Sequence, residues 1–285
     1  MLDLVTIATS VGTTLATQFV SNKDGGPQKT LTLAWNYVFS GCHTFFEKKE
    51  ILRKERLNKF AQSVVENTEK IPKENLSEPK LNIIGPALEA SKYYIEEDQL
   101  REMFAKLISS SMDNRVNSLV HPSFVEIIKQ LEPTEAKILL LFKKSTNYPI
   151  ANMGIRLRKN KPESSLKKFN FNLYSDDIFD FHMFSNVFLD FYENVGTLNV
   201  SSSLVNLQRL GIINISFESY IVEDDYSSFR QTEEYKEIKK MTDNPNSLKQ
   251  RPEFQNVNFV SAEPYLTKGE VFITDFGKKF IKVCF

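Results

Sequence analysis

Five prolines, at positions 72, 79, 86, 122 and 133, dictate where helices can start and stop through the middle of this chain. Proline lacks a backbone N–H, resists helix interiors and biases the residue before it towards extended backbone. Pro72 and Pro79 therefore bracket a polar connector over residues 73–80. Pro86 is expected in the first turn of a helix, where its missing donor is tolerated. Glu96, Glu97 and Asp98 place negative charge at the start of the next helix, against the positive end of its dipole. Leu100, Met103, Phe104, Leu107 and Ile108 form that helix's buried stripe, and the serines at 109–111 weaken its end. His121-Pro122-Ser123 starts another helix with Phe124, Ile127, Ile128 and Leu131 inward, and Pro133 breaks it and opens a third.

On both sides of this segment the composition is that of an ordinary folded chain: 285 residues, 41% hydrophobic and 25% charged. Disordered, collagen-like and disulfide-scaffold readings are excluded. Thirty-six basic residues balance 36 acidic ones, 16 of each up to Gln130 and 20 of each after it, so neither half has the basic excess of a DNA-binding domain. Cys42 and Cys284 stand far apart, which disfavours a disulfide framework or a cysteine zinc site and suits a reducing cytosol.

Residues 4–22 carry no charge, and after a glycine-rich turn residues 30–46 are again uncharged. Nineteen residues would just cross a bilayer as a helix, but this stretch is diluted by five threonines, two serines, Gln18 and Asn22. Asp3 stands where a secretory signal would carry Lys or Arg. Three readings of this hairpin-like element stay open. The preferred one is a pair of core-facing helices burying Val5, Leu15, Phe19, Leu33, Val38 and Phe45; the others are a dimerisation surface and a membrane hairpin inserted on activation. Residues 47–69 alternate in charge, with Ile51, Leu52, Phe60, Val64 and Val65 at helical intervals, and read as an amphipathic helix.

Three strings carry a family resemblance. They are residues 81–90, ending in GPALEA; residues 100–108 with Ser111-Met112-Asp113; and residues 120–131, VHPSFVEIIKQL. Over residues 45–145 the chain resembles the Abi-alpha family, bacterial proteins associated with abortive infection, in which an infected cell shuts down before phage can spread. The resemblance implies a setting in phage defence and brings no catalytic residues. Read on their own chemistry, Glu89, Arg101, Glu102, Asp113 and His121 are polar groups that would meet where these helices cross, as an interaction or acid-base site. The plainer alternative has His121 capping a helix start and Arg101 paired with a nearby acid. None of these residues shows a metal-ligand spacing.

After Pro133 the sequence looks like a winged-helix domain. A helix over residues 134–142 is followed by a serine cap at 201–203, a stripe of Leu204, Leu207 and Leu210, a stop at Gly211, an extended 212–215, a strand at 271–274 and a final helix over 275–284. The recognition face offers only Asn206, Gln208 and Arg209, and seven acids face two bases between Glu218 and Glu237, so protein contact is favoured over DNA contact. Against this, residues 137–168 hold nine basic side chains and one acid. Lys143, Lys144, Arg156, Arg158, Lys159, Lys161, Lys167 and Lys168 are thus candidates for nucleic acid or anionic lipid, the alternative being a solvated loop. Phe181, Phe184, Phe188 and Phe191 suggest a helix over 180–194 with a buried stripe. Asp176, Asp177, Asp180 and His182 are the formal metal candidate, explained more simply as helix-start acids. Residues 223–255 read as a mobile polar insertion.

The expected fold is therefore mainly α (α+β). Uncharged helices over 1–46 and a helical domain over 47–132 precede a winged-helix-like domain with insertions over 133–285. The expected role is phage defence in the cytoplasm through protein partners or self-association, with no cofactor and no catalytic or metal site. Membrane action through residues 4–46, with membrane association on activation, is the rival, and a winged-helix DNA-binding transcriptional regulator is the alternative. No paired carboxylates, nucleophile elbow or phosphate-binding loop points to an enzyme.

Overall fold

The computed structural model describes residues 26–40, 50–159, 178–191, 197–222 and 226–285. Helices α1 (Pro27–Ser40), α2 (Glu50–Glu69), α3 (Leu81–Tyr94), α4 (Asp98–Ser111), α5 (Ser123–Ile128) and α6 (Pro133–Leu141) come first. Strands β1 (Asn147–Arg158) and β2 (Ile178–Val187), helix α7 (Thr197–Arg209), strand β3 (Ile213–Ser216), helices α8 (Glu233–Thr242) and α9 (Pro245–Lys249), strand β4 (Ser261–Ile273) and helix α10 (Asp275–Cys284) follow. By contact the chain forms two units, residues 1–144 with Thr274–Phe285, and Ser145–Ile273. Helices α6 and α10, which the sequence groups with the C-terminal half, thus belong to the first unit.

In the helical unit α4 is the hub, packing against α2, α3, α5, α6 and α10. Its stripe of Leu100, Met103, Phe104, Leu107 and Ile108 is buried as the sequence requires. Helix α6 begins with Pro133 at its first position, and the Glu132 backbone N–H donates to the Glu135 carboxylate at 2.8 Å. Helix α10 starts where Thr274 Oγ1 accepts from Gly277 N at 2.9 Å. Helix α3 begins at Leu81, five residues before Pro86, so that proline lies inside the helix rather than in its first turn. Pro86 and Asn82 are both exposed, which leaves water to satisfy the Asn82 carbonyl that proline cannot bond.

Helix α1 buries Leu31, Trp35, Val38 and Phe39, and the Trp35 ring stacks on Phe60 of α2 at 5.4 Å. Val38 is thus a core residue as expected, whereas Leu33 is 61% exposed, because the face 31-35-38 turns it outward. Val5, Leu15, Phe19 and Phe45, with the whole of residues 4–22, lie outside the described residues. Among the described residues no helix is long and apolar enough to cross a membrane.

The second unit is a four-stranded antiparallel sheet in the order β2-β1-β4-β3. Strands β1 and β4 pair over their whole shared length, from Asn147 opposite Phe272 to Arg158 opposite Ser261. Ala151, Met153, Ile155 and Leu157 of β1 face a core completed by Tyr226, Phe229, Ile238, Leu248, Phe254 and Phe259. The stretch 226–255, expected as part of a mobile polar insertion, supplies five of these core residues, Tyr226, Phe229, Ile238, Leu248 and Phe254. From residue 226 onward it is short helices and turns that cover the sheet, and its charges sit on the outward faces while one apolar residue per turn goes in.

Three further expectations are corrected. Residues 178–187 form a strand, not a helix: Phe179-Asp180-Phe181-His182-Met183 alternates with the period of a strand, and the aromatic side chains favour one. Residues 147–158 are a paired strand rather than a solvated loop. Helix α7 begins at Thr197, so Ser201–203 sit inside it and do not cap it, Ser203 being buried. The expected stop at Gly211 is present, with φ +73, the left-handed conformation that favours glycine.

Candidate functional site

Along one side of α4, positions 99, 102, 106, 109, 110 and 113 recur at helical spacing and line two adjoining pockets of the helical unit. The first, about 240 Å³, lies between α2, the end of α4 and α10. Lys70, Lys106, Arg115 and Lys282 line it with Asn67, and Asp113 is the one carboxylate among its lining residues. Lys106 is half-buried, and among the described residues no carboxylate lies within 4 Å of its ammonium. Burial, reinforced by the nearby Lys70, pushes the Lys106 pKa below the ordinary lysine value.

Asp113 and Arg115 match each other's charge, which leaves Lys70, Lys106 and Lys282 as the positive charges of the pocket. Arg115 Nε donates to Oδ1 at 2.9 Å and Nη2 to Oδ2 at 2.6 Å, a two-pronged pair that holds the Asp113 carboxyl below the usual carboxylate range. The turn bearing both residues is fixed from outside α4. Ser77 N donates to the Met112 carbonyl at 2.7 Å and Asn114 N to the Asn75 carbonyl at 2.9 Å. Ser110 Oγ donates to the Val283 carbonyl at 2.9 Å, which ties α10, and with it Lys282, to α4.

The second pocket, about 330 Å³, shares Asn67 and Lys106 with the first and lies further towards the start of α4. Its walls are Asp98, Gln99 and Glu102 on the polar side and Met103, Leu140 and Phe285 on the apolar side, with Cys284 at its base. Burial pushes the Cys284 thiol well up, so that sulfur is an inert wall rather than a nucleophile.

The expected polar cluster is dispersed. Glu89 pairs with Lys92 at 2.8 Å on the surface of α3. Arg101 is buried on the other side of α4, donating to the Ile95 carbonyl at 3.2 Å and pairing with Asp98 at 2.7 Å. His121 Nδ1 accepts from Ser123 N at 3.2 Å, the helix-start role of the plainer alternative, and its ring lies against Phe124 and Phe276. Only Glu102 and Asp113 line the pockets, and Arg101 and Glu102 approach no closer than 3.9 Å. Lys70, Lys106, Arg115 and Lys282 went unsingled in the sequence. The one local signal was the polar spacing along α4, since Lys70 and Lys282 arrive from distant segments.

In the sheet unit, Arg156 Nε and Nη2 grip the two oxygens of Asp180 at 2.7 and 2.8 Å, and Arg158 pairs with Glu263 at 3.2 Å. His182 Nδ1 meets the Tyr265 hydroxyl at 2.6 Å, where burial and the Asp180 charge push the tyrosine pKa up to about 12. The described members of the formal metal candidate are thus committed to other partners, and among the described residues no group of three such side chains converges. Asp176, Asp177, Lys161, Lys167 and Lys168 lie outside the described residues. Lys143 and Lys144 follow α6 in the helical unit, and Lys159 follows β1.

The described chain thus comprises a helical unit with a lysine-lined cavity and an α+β unit. The chain matches the Abortive infection alpha family over residues 52–284, well beyond the strings that first suggested it, and it belongs to that family. No curated protein and no solved structure matches it.

Proposed function

We propose that this protein serves abortive infection as a ligand-responsive binding protein rather than an enzyme, with the electropositive pocket receiving an anion and protein contacts carrying the response. Lys106 carries this reading. A half-buried ammonium with the Lys70 and Lys282 ammonium groups in the same pocket is an unfavourable arrangement that an incoming anion relieves, and perturbed ionisable groups in a cavity mark functional sites. The test is calorimetric titration of the full chain with inorganic phosphate, together with phage plaquing. Binding that weakens with salt and is lost in Lys106→Met, with protection lost in parallel at equal expression, is the expected result. Protection untouched by Lys106→Met would sink the proposal.

A second reading has its own support. Helix α1 exposes Leu33 (61%) and Tyr37 (87%) on the face opposite its buried stripe, which suits contact with another protein, a second copy or a lipid surface. Deleting residues 1–46 and following membrane potential by dye during infection separates these: loss of potential that requires those residues supports membrane action, and protection with intact potential supports a protein partner. The winged-helix-like reading keeps only the order α7, β3, β4 in its support, because α6 and α10, its expected first and last helices, belong to the helical unit. Duplex binding through it draws no support from Arg156 and Arg158, whose charges are already matched by Asp180 and Glu263.

A further inference from the structure

The two pockets that meet at Lys106 differ in character, and the difference identifies a class of ligand. We infer that the anion received here is the phosphate of a small nucleotide whose base carries an amino group, an inference that rests on the anion-binding reading of the first pocket. The cation-lined end takes the phosphate through Lys70, Lys106, Arg115 and Lys282. The adjoining pocket offers apolar area from Met103, Leu140 and Phe285, and Leu140 is 42% exposed, an aliphatic surface left open where a flat ring can lie. Each pocket alone is at or near the small end of ligand sites, roughly 300 Å³, whereas the pair falls within their range.

The polar wall selects the ring. Asp98 Oδ1 forms an ion pair with Arg101 Nη1 at 2.7 Å and Glu102 Oε1 accepts from Ser63 Oγ at 2.7 Å, which leaves Asp98 Oδ2 and Glu102 Oε2 as acceptors without a protein donor among the described residues. Carboxylate oxygens only accept hydrogen bonds at neutral pH, so they match the amino groups of adenine, cytosine or guanine. Uracil sets its one ring N–H between two carbonyls, which a carboxylate repels. The same carboxylates argue against a polynucleotide, because a second phosphate running on from the first would meet Asp98 and Glu102.

The test is calorimetry on the full chain with inorganic phosphate, ribose 5-phosphate, AMP, CMP, GMP and UMP. At least one of AMP, CMP and GMP is expected to bind ten-fold or more tighter than both ribose 5-phosphate and UMP. Glu102→Gln, at an exposed position that folding tolerates, should bring that nucleotide to within about three-fold of UMP and leave inorganic phosphate unchanged. If inorganic phosphate binds but no amino-bearing nucleotide exceeds ribose 5-phosphate, this inference fails and the anion pocket stands. If no phosphate compound binds at millimolar concentration, the pocket reading fails as well.

Discussion

A lysine whose pKa is lowered makes a directional claim about proton linkage. The folded Lys106 binds its proton less tightly than the unfolded chain does, so its contribution to stability rises as pH climbs through the lowered value towards the ordinary 10.5. Anion affinity must run the other way, since deprotonation removes one of the pocket's three ammonium charges. Sulfate, whose own charge is constant above neutrality, is the suitable probe. Its affinity should fall as pH rises, with a midpoint below 10.5, and Lys106→Met should abolish the fall in that window. A pH-independent sulfate affinity in the wild-type chain up to pH 10 would contradict the placement of Lys106 in the site.

The sheet depends on close approaches at two glycines, Gly154 of β1 and Gly269 of β4. A Cβ at Gly154 would lie 2.1 Å from the Phe181 carbonyl oxygen and 2.7 Å from Tyr265 Cε1, so β2 and the Tyr265 ring approach β1 there only because glycine has no side chain. Gly154→Ala should therefore cost about 1–3 kcal/mol, read as a lower urea midpoint. An unchanged midpoint would show that β2 can shift without loss. Between elements, what the sequence disclosed followed from its strongest local signals. Prolines and apolar stripes placed α4, α5 and α6 closely, because each starts at an acidic run or a proline and buries the apolar residues the sequence singles out. Strand β1 was hidden beneath the basic count of residues 137–168. Strand β2 was hidden because its phenylalanines satisfy a helical and a strand period at once. The covering segment at 226–255 looked mobile because most of its residues are polar or charged, while burial is decided by the few that are not. The pocket was legible only through Glu102 and Asp113; Lys70, just past α2, and Lys282, on α10, are brought to α4 by packing that no local pattern encodes.

At the scale of the whole chain, the sheet unit is inserted into the helical one. Residues Ser145–Ile273 leave after α6 and return just before α10, and the two crossings run side by side: the Ile273 N–H donates to the Thr146 carbonyl at 2.9 Å. A chain in which a short Gly-Ser linker joins Lys144 to Thr274 should keep a cooperative unfolding transition and its phosphate affinity within about three-fold. Loss of both would mean that the helical unit depends on the sheet for its fold. Insertion also imposes an order in time. Before the helix that completes the pocket, the 129 residues of the inserted unit must be synthesised, which at roughly 5–20 residues per second takes on the order of ten seconds. Until then Ser110 has no Val283 carbonyl to bond, and the cavity lacks Lys282. A polypeptide halted anywhere within the inserted unit therefore lacks the helix that closes the cavity and bears Lys282.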